Sequence, residues 1–178
     1  MKRVLFSIIL GVSVFFASSI SSSAQTFQSP AGGDFAAFGS LGYQTNYERF
    51  GLSVQGRYNL ARNIRLAPDV MFFFPKNKVT GLDVNLNAHY VFYFPQDRFS
   101  VYPLAGIGMQ NNFWGKQKVE VNGHQEETDS FSRTKFAFNL GGGITYQVSP
   151  NGYLNAELKF MFADDDAAVL MLGYGVRF

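Results

Sequence analysis

Cysteine is absent from this chain of 178 residues, which excludes disulfide frameworks, thiolate metal sites, cysteine nucleophiles and a lipid-modified N-terminal cysteine. Histidine occurs only twice, as His89 and His124, which argues against a metal site built on two or three histidines. Charged residues make up only 16% of the chain. No segment after Ala24 carries the roughly 18 consecutive apolar residues that a transmembrane helix needs.

Aromatic residues, by contrast, are abundant. The chain has 20 Phe and 9 Tyr, and its overall content of hydrophobic residues is 47%. Mean hydropathy is nevertheless close to zero, at -0.02, because the aromatics alternate with polar residues and form no apolar blocks. This composition argues against a disordered chain and against a coiled coil.

The first 24 residues have the layout of a cleaved secretory signal. Met1-Lys2-Arg3 supplies two positive charges, an apolar stretch of 14 residues follows from Val4 to Ala17, and small residues end at Ala24. An uncleaved signal anchor is the alternative, although 14 residues are few for a membrane-spanning helix. Cleavage leaves 13 basic and 13 acidic residues, so nothing indicates nucleic-acid binding. We expect a signal peptide at 1–24 and a short N-terminal segment at 25–34.

From Phe35 onward, apolar and polar residues alternate with a period of two. From Leu82 to His89, for example, apolar residues occupy the even positions, and Asp83, Asn85, Asn87 and His89 the odd ones. This period is typical of two-faced β-strands, and no helical period competes with it. We count eight segments, at residues 35–45, 49–60, 64–74, 80–94, 98–113, 134–148, 152–162 and 167–178.

The connections between these segments alternate in length. Residues 61–63, 95–97 and 149–151 form short turns, whereas the third-to-fourth connection is longer and the fifth-to-sixth extends from about Trp114 to Arg133. Tight turns on one side and longer loops on the other are typical of outer-membrane barrels. The sequence therefore predicts an all-β fold, an eight-stranded antiparallel transmembrane β-barrel over residues 35–178, in the outer membrane of a Gram-negative bacterium.

A soluble barrel or sandwich with its apolar face inward is the competing fold. Eight inward faces rich in Phe, Tyr and Leu would overfill the interior of an eight-stranded barrel. We therefore expect Leu86 and Leu158 to face lipid and Asn87 and Glu157 to face the lumen. The lumen would then hold a polar network, for which we select Arg57, Arg65, Asp69, Asp83, His89, Lys135, Glu157 and Lys159.

Two readings of this lumen remain open. Its charges form either a narrow gated conductance or a packed polar core, in which buried charges need partners. The expected pairing of the second and third segments places Asp69 opposite Gln55 and diagonal to Arg57. That register makes Asp69 and Arg57 a candidate ion pair.

The connection after the fifth segment contains a strong hairpin signal, Asn122-Gly123. With a two-residue turn there, the numbers of opposed residues sum to 245. Opposite charges and two aromatic residues then meet, and Tyr102 lies beside Gly143. The predicted outer hairpin covers about 114–133, and its candidate contact residues are Trp114, Lys116, Lys118, Asn122, Gly123, Glu127 and Asp129.

The C-terminal stretch Gly173-Tyr174-Gly175-Val176-Arg177-Phe178 resembles the C-terminal signature of bacterial outer-membrane barrels. Residues 65–69 and 101–108 are also similar to the outer membrane protein beta-barrel domain family, which includes OmpX and the barrel domain of OmpA. This resemblance implies an assembly signal read by the barrel-assembly machinery, with Gly173, Tyr174, Val176 and Phe178 as its residues. It implies location more than activity, since members of one fold have many roles.

We expect a structural or interaction role, with outer-membrane lipid, lipopolysaccharide and an unknown extracellular or membrane-protein partner. A small-pore or transport barrel is the alternative. A lipid-modifying enzyme using His124, Glu126, Asp129 and Ser130 is a distant third, because no spacing enforces the required geometry. Asp164-Asp165-Asp166 is read as a solvated turn in preference to a calcium site. The sequence predicts no cofactor, no metal and no catalytic residues.

Overall fold

The computed structural model describes residues 30–94, 98–115, 117–121, 124–128, 130–164 and 166–178, with backbone alone for 117–121 and 124–128. The predicted signal at 1–24 lies outside these ranges. Every regular element in the described part is a β-strand: β1 (Phe35–Gln44), β2 (Arg49–Ala61), β3 (Ile64–Lys76), β4 (Val79–Tyr90), β5 (Phe92–Tyr93), β6 (Phe99–Trp114), β7 (Gln117–Val121), β8 (His124–Thr128), β9 (Phe131–Gln147), β10 (Gly152–Phe162) and β11 (Ala167–Arg177). The described residues contain no helix that is long and apolar enough to cross a membrane.

Eight of the described strands close into an antiparallel barrel, as predicted. Their order around the wall is β1, β2, β3, β4, β6, β9, β10 and β11, and the short β5 pairs with the start of β6. The β1–β11 pair joins the first and last strands of the wall, from Ala36 opposite Arg177 to Gln44 opposite Val169. Closure satisfies the backbone of each wall strand on both sides, so no open edge remains in the wall.

The outward face of the wall is apolar and the inward face is largely polar. Leu86 and Leu158 are 48% and 41% exposed, whereas Asn87 and Glu157 are 0% and 1% exposed. The predicted faces of these four residues are confirmed. A soluble barrel would have the opposite arrangement, since water would then meet the polar face.

The two ends of the barrel differ, and we name them by what they carry. The terminal end holds both ends of the described chain, near Phe35 and Phe178, and the connections at 62–63 and 148–151. The hairpin end holds the connections at 45–48, 77–78 and 163–166, together with β7 and β8. An even number of wall strands places the start of β1 and the end of β11 at the same end of the barrel.

The connection between β3 and β4 is shorter than predicted. It consists of the two residues Asn77 and Lys78, so the prediction of a longer loop there is wrong. Their φ angles are 51° and 64°, the left-handed values that a type I′ hairpin turn requires at both central positions. Lysine rarely adopts such a φ, so Asn-Lys carries a weaker turn signal than Asn-Gly.

The register with a sum of 245 is confirmed along β6 and β9 and continues through β7 and β8. Ser100 lies opposite Thr145 and Trp114 opposite Phe131, and beyond them Lys118 lies opposite Glu127. The rings of Trp114 and Phe131 stack with centroids 4.6 Å apart and an interplanar angle of 4°. A single register therefore runs from the barrel wall into the projecting hairpin.

Candidate functional site in the barrel lumen

An ion pair between Asp69 and Lys159 crosses the middle of the lumen. The Nζ atom of Lys159 donates to both carboxylate oxygens of Asp69 at 3.1 Å, and neither side chain is more than 1% exposed. The Nδ2 atoms of Asn85 and Asn87 donate to the same carboxylate at 2.9 and 2.8 Å. A buried carboxylate requires such a full set of donors to offset its lost hydration.

A second group surrounds Glu157, on the terminal side of the first. The Tyr102 hydroxyl donates to Glu157 Oε2 at 2.8 Å, and Nη2 of Arg57 lies 3.4 Å from the same oxygen. The Arg57 guanidinium also donates to Gln55 and lies 3.9 Å from the centre of the Phe38 ring. Charge, hydrogen bonds and an aromatic face together compensate Arg57 for burial.

Tyr102 owes its position to a glycine on the neighbouring strand. Gly143 is its register partner, and a Cβ atom at Gly143 would lie 2.5 Å from the Tyr102 hydroxyl oxygen. Only glycine permits this close approach of the tyrosine to the backbone. The predicted covering of Gly143 by Tyr102 is confirmed.

Arg65 and His89 stack with Tyr102 toward the terminal end. The Nε atom of Arg65 donates to Nδ1 of His89 at 3.0 Å, and the His89 and Tyr102 rings stack with centroids 4.5 Å apart. The Arg65 guanidinium lies 4.4 Å from the centre of the Tyr102 ring. Because Nδ1 accepts a hydrogen bond, the proton of the neutral His89 ring is on Nε2.

At the hairpin end of the lumen, Arg49 is the buried cation. It donates to Gln44 Oε1 at 2.7 Å and to Asn112 Oδ1 at 2.6 Å. Asp83 is 1% exposed, and its carboxylate oxygens have no hydrogen-bond partner among the described residues. An apolar cluster fills the lumen beside this group: Met71, Phe73, Ala137, Met161, Ala167, Val169 and Met171.

Lys135, the last of the selected lumen residues, lies at the rim. Its side chain is 6% exposed and its Nζ atom is 3.8 Å from Asp164, a residue of the β10–β11 connection. Arg133 approaches the same carboxylate at 3.8 Å. Lys135 therefore belongs to the hairpin end and not to the central ion pairs.

The predicted ion pair between Asp69 and Arg57 is wrong. Asp69 lies opposite Gln55, as the register requires, but it pairs with Lys159, while Arg57 pairs with Glu157. Lys159 and Glu157 are both on β10, four positions around the wall from β3 and three from β2. Side chains in a narrow barrel reach across the lumen, so the nearest counter-ion need not be on a neighbouring strand.

Sequence reasoning did not select several residues that complete the network. The alternation places Asn85 and Asn87 on the inward face, but only ionisable residues were selected for the network, so these two amides were left out of it. Tyr102 is two positions from Ser100, an inward residue of the same strand, so the period of two indicates that Tyr102 also faces the lumen. The missed residues are Gln55, Asn85, Asn87, Tyr102 and Asn139.

The predicted outer-hairpin residues are only partly described. Trp114 stacks on Phe131, and Lys118 lies opposite Glu127 in the backbone register. Lys116, Asn122, Gly123 and Asp129 lie outside the described residues. Any contribution of those four residues to the hairpin is therefore a prediction from the sequence.

The residues of the predicted assembly signal lie on and beside β11. Gly173 is opposite Ser40 of β1 and Asn155 of β10. Val176 and Phe178 point outward and are 39% and 79% exposed. Tyr174, also on the outward parity, lies opposite Gly39 and Leu154.

The residues considered for chemistry at the hairpin end are mostly not described. The side chains of His124 and Glu126 are not described, and neither Asp129 nor Asp165 lies within the described ranges. Among the residues that are described, no group of three or more His, Cys, Asp or Glu side chains could hold a metal ion.

Solved structures of bacterial outer-membrane barrels have the same fold. The N-terminal β-barrel domain of Pseudomonas aeruginosa OprF matches with a TM-score of 0.65 and 19% sequence identity, covering 84% of this chain and 100% of that one. The attachment invasion locus protein Ail of Yersinia pestis matches with a TM-score of 0.59 and 20% identity, over 84% of this chain and 100% of Ail. Neisserial surface protein A matches with a TM-score of 0.56 and 17% identity, over 83% and 97% of the two chains.

The sequence itself is matched by a family model. No curated protein matches the chain. The family model described as outer membrane protein beta-barrel domain matches residues 7–178. Together with the closed eight-stranded wall and its apolar outward face, this match shows that the chain belongs to the outer membrane protein beta-barrel domain family and is located in the outer membrane.

Proposed function

We propose that this barrel has a structural and interaction role and uses its projecting hairpin, about 114–133, for contacts outside the cell. The observation that carries the proposal is the small sheet beyond the wall. Within the described residues, β7 and β8 pair only with each other, while β6 and β9 have wall partners on both sides. Unpaired strand edges are templates for β-strand addition by another chain.

The composition of the hairpin supports this role. Residues 116–129 contain two lysines and four acidic residues, so the hairpin carries a net negative charge and no apolar run. At its base, the stacked Trp114 and Phe131 present an aromatic surface, with Phe131 55% exposed. Exposed aromatic residues beside charged ones are typical of binding surfaces.

A structural neighbour provides a parallel. Ail of Yersinia pestis, the attachment invasion locus protein, has been crystallised with the heparin analogue sucrose octasulfate, and its fold matches this chain with a TM-score of 0.57. At 20% sequence identity the likeness concerns the fold alone. The partner of the present chain is proposed as an extracellular molecule or a neighbouring membrane protein.

The outward wall and the last strand have further proposed partners. The apolar belt contacts outer-membrane lipid, with lipopolysaccharide at the hairpin end, where Lys76 is 41% exposed at its side chain. The exposed Val176 and Phe178 are available to the barrel-assembly machinery. Both proposals follow from the location of the chain.

A small pore, the alternative function, is disfavoured by the packing of the lumen. Lys159 of β10 reaches Asp69 of β3 across the full width of the barrel, and Arg57 reaches Glu157 beside it. Ions could pass only by separating these pairs, whose side chains are at most 2% exposed, and a buried charge that loses its partner is costly. Planar-bilayer conductance of the purified protein discriminates the two functions: stable single-channel openings would support the pore.

Single cysteines test the interaction role, because the native chain has no thiol. We compare Glu127→Cys in the hairpin with Asn151→Cys at the terminal end on intact cells. One sample of each variant keeps its free thiol for labelling, and a second carries a photo-crosslinker. We expect a membrane-impermeant reagent to label only the hairpin cysteine, and crosslinked adducts to form only from that site. Labelling of Glu127→Cys only after permeabilisation, or equal adducts from both sites, would contradict the proposal.

A further inference from the structure

The outward face of β6 and β9 changes from apolar to polar near the hairpin end. Met109 and Phe136 are register partners within the apolar belt, and in the next outward row Asn111 lies opposite Thr134. The Thr134 hydroxyl donates to Asn111 Oδ1 at 2.7 Å, and Nδ2 of Asn111 donates to the backbone oxygen of Leu82 at 2.9 Å. This polar row next to the belt marks the level at which the wall leaves the hydrocarbon layer.

A row of different composition follows, two residues farther along the strands. Thr80, Phe113 and Ser132 are register partners on the same outward face, so one aromatic ring has a hydroxyl residue on each side. Two residues of a strand rise by roughly 7 Å along its axis, or about 5 Å in height once the tilt is included. This row therefore lies at the level of the lipid headgroups, just outside the hydrocarbon layer.

An open groove of about 510 Å³ follows this row and reaches the base of the hairpin. Its lining includes the three residues of the row together with Lys78, Trp114 and Phe131. Lys78 is exposed in the β3–β4 turn, and its backbone oxygen accepts a hydrogen bond from the Gly115 amide at 3.0 Å. Sites for small molecules typically have volumes of about 300–1,000 Å³, so the groove is large enough for a ligand.

The lining combines the three kinds of group that an acidic saccharide needs. Phe113 and Phe131 are 44% and 55% exposed, and the C–H face of a sugar packs favourably on the negative face of an aromatic ring. The hydroxyl groups of Thr80 and Ser132 both donate and accept hydrogen bonds, as sugar hydroxyls do. The ammonium group of Lys78 suits a carboxylate or a phosphate on the sugar.

We propose that this groove binds the innermost acidic saccharide of lipopolysaccharide in the surrounding outer leaflet. The argument for this occupant is position, because the outward row faces the neighbouring lipids at the height of their headgroups. A soluble glycan would instead approach the barrel from above, where the hairpin projects. The inference rests on the proposed function, in which the hairpin end lies outside the cell, and it gives the lipopolysaccharide partner a defined site.

The single tryptophan of the chain, Trp114, reports on the groove directly. The purified barrel is placed in phospholipid nanodiscs with rising amounts of lipopolysaccharide truncated after its innermost acidic sugars. We expect the emission of Trp114 to shift saturably to shorter wavelength, because the sugar displaces water from the lining. Lipid A, which has the same acyl chains and phosphates without these sugars, should give no saturable shift.

Variants of the lining test whether the shift comes from the groove. Phe113→Ala should weaken the apparent affinity about tenfold and Lys78→Gln several-fold. Phe160→Ala is the matched control, because Phe160 also points outward and is 44% exposed, like Phe113, but does not line the groove. Its affinity should stay within about twofold of the wild-type value. Heat-modifiable gel migration verifies folding, and if Phe113→Ala does not fold, the nearly isosteric Thr80→Val decides in its place.

Several results would overturn the site. They are the absence of any saturable shift, an equal shift with lipid A, and equal losses in Phe113→Ala and Phe160→Ala. A shift produced by heparin in nanodiscs of phospholipid alone, without a response to the truncated lipopolysaccharide, would assign the groove to an external glycan and overturn the proposal as well.

Failure of this site and failure of the proposed function can be distinguished. A nanodisc carries lipopolysaccharide on both faces, so the titration does not depend on the orientation of the barrel in the cell. A failed titration therefore overturns the groove alone. Labelling of Glu127→Cys only after permeabilisation would overturn the external role of the hairpin.

Discussion

Replacing Asp69 by asparagine should destabilise the barrel far more than an equivalent change at its surface. The Asp69 carboxylate accepts two hydrogen bonds from Lys159 and one each from Asn85 and Asn87. An asparagine offers one acceptor oxygen and a donor amide, which would face the donor amide of Asn85 or Asn87. Lys159, which is 1% exposed, would also lose its counter-ion.

The expected loss follows from burial. Removing one partner of a buried ion pair leaves the other charge uncompensated and costs about 3–5 kcal/mol. Because the asparagine oxygen still accepts one hydrogen bond, we expect Asp69→Asn to lower the free energy of unfolding by about 3 kcal/mol. Adding Lys159→Met removes the stranded charge, so the double variant should recover most of this loss.

Glu48→Gln provides the control for this experiment. Glu48 and Lys76 form a shorter ion pair, at 2.8 Å against 3.1 Å, but their side chains are 69% and 41% exposed. Water replaces either partner at this site, so the free energy of unfolding should barely change. Comparing Asp69→Asn with Glu48→Gln therefore separates the effect of burial from the effect of the distance between the charges.

Equilibrium unfolding by urea in lipid vesicles gives the free energy of unfolding of all four proteins. These are the wild type, Asp69→Asn, Glu48→Gln and the double variant of Asp69 and Lys159. The reasoning would be refuted by an Asp69→Asn loss below about 1 kcal/mol, which is the range of an exposed pair. It would equally fail if Glu48→Gln cost as much as Asp69→Asn. A double variant less stable than Asp69→Asn alone would show that Lys159 has other partners that matter more.

Three further predictions concern the wall, the hairpin and the surface pair. In the same assay, Leu158→Arg should lower the free energy of unfolding by about 2–4 kcal/mol and Leu154→Arg, nearer the terminal end, by about 1 kcal/mol or less. The difference is expected because the cost of an outward charge depends on its depth in the membrane. Equal losses would contradict the membrane position. Deleting residues 115–133 and closing the gap with a short turn should leave heat-modifiable migration and the free energy of unfolding almost unchanged. An unfolded product would show that the wall needs the hairpin. The hydrogen bond from Lys76 holds the pKa of the Glu48 carboxyl below its ordinary value, so carboxyl NMR should show this pKa rising in Lys76→Met. Any stability from the pair is present above the ordinary pKa and is lost as the pH falls through the lowered one.

The wall of the barrel could be read from the sequence because its physical cause is local. Each strand must present apolar residues to lipid and polar residues to the lumen, so the period of two defines both the strand and its faces. The register of β6 and β9 was also accessible, since the Asn122-Gly123 turn and the opposed charges favoured the same pairing. The β3–β4 turn was not, because Lys78 adopts a φ of 64° that its residue type does not suggest.

Partners across the lumen could not be predicted from strand pairing. Register specifies neighbours around the wall, and it placed Asp69 opposite Gln55 correctly. The counter-ion of Asp69 comes instead from β10, 90 residues away in sequence. Which inward residues meet across the centre depends on strand tilt and stagger in the closed barrel, and these are properties of the whole assembly.

Because the contacts across the lumen depend on strand tilt and stagger, the buried ion pairs have a role beyond stability. Lys159 reaches Asp69, and Glu157 reaches Arg57, only when eight strands have closed with the observed stagger. Slipping one wall pairing by two residues keeps every side chain on its proper face, so the apolar belt alone penalises that error weakly. The slipped barrel would, however, bury separated charges. We therefore expect the double variant Asp69→Asn with Lys159→Met to regain stability yet refold to several species on a heat-modifiable gel, while the wild type gives one. A single band from both proteins would show that the wall selects its register without the ion pair between Asp69 and Lys159.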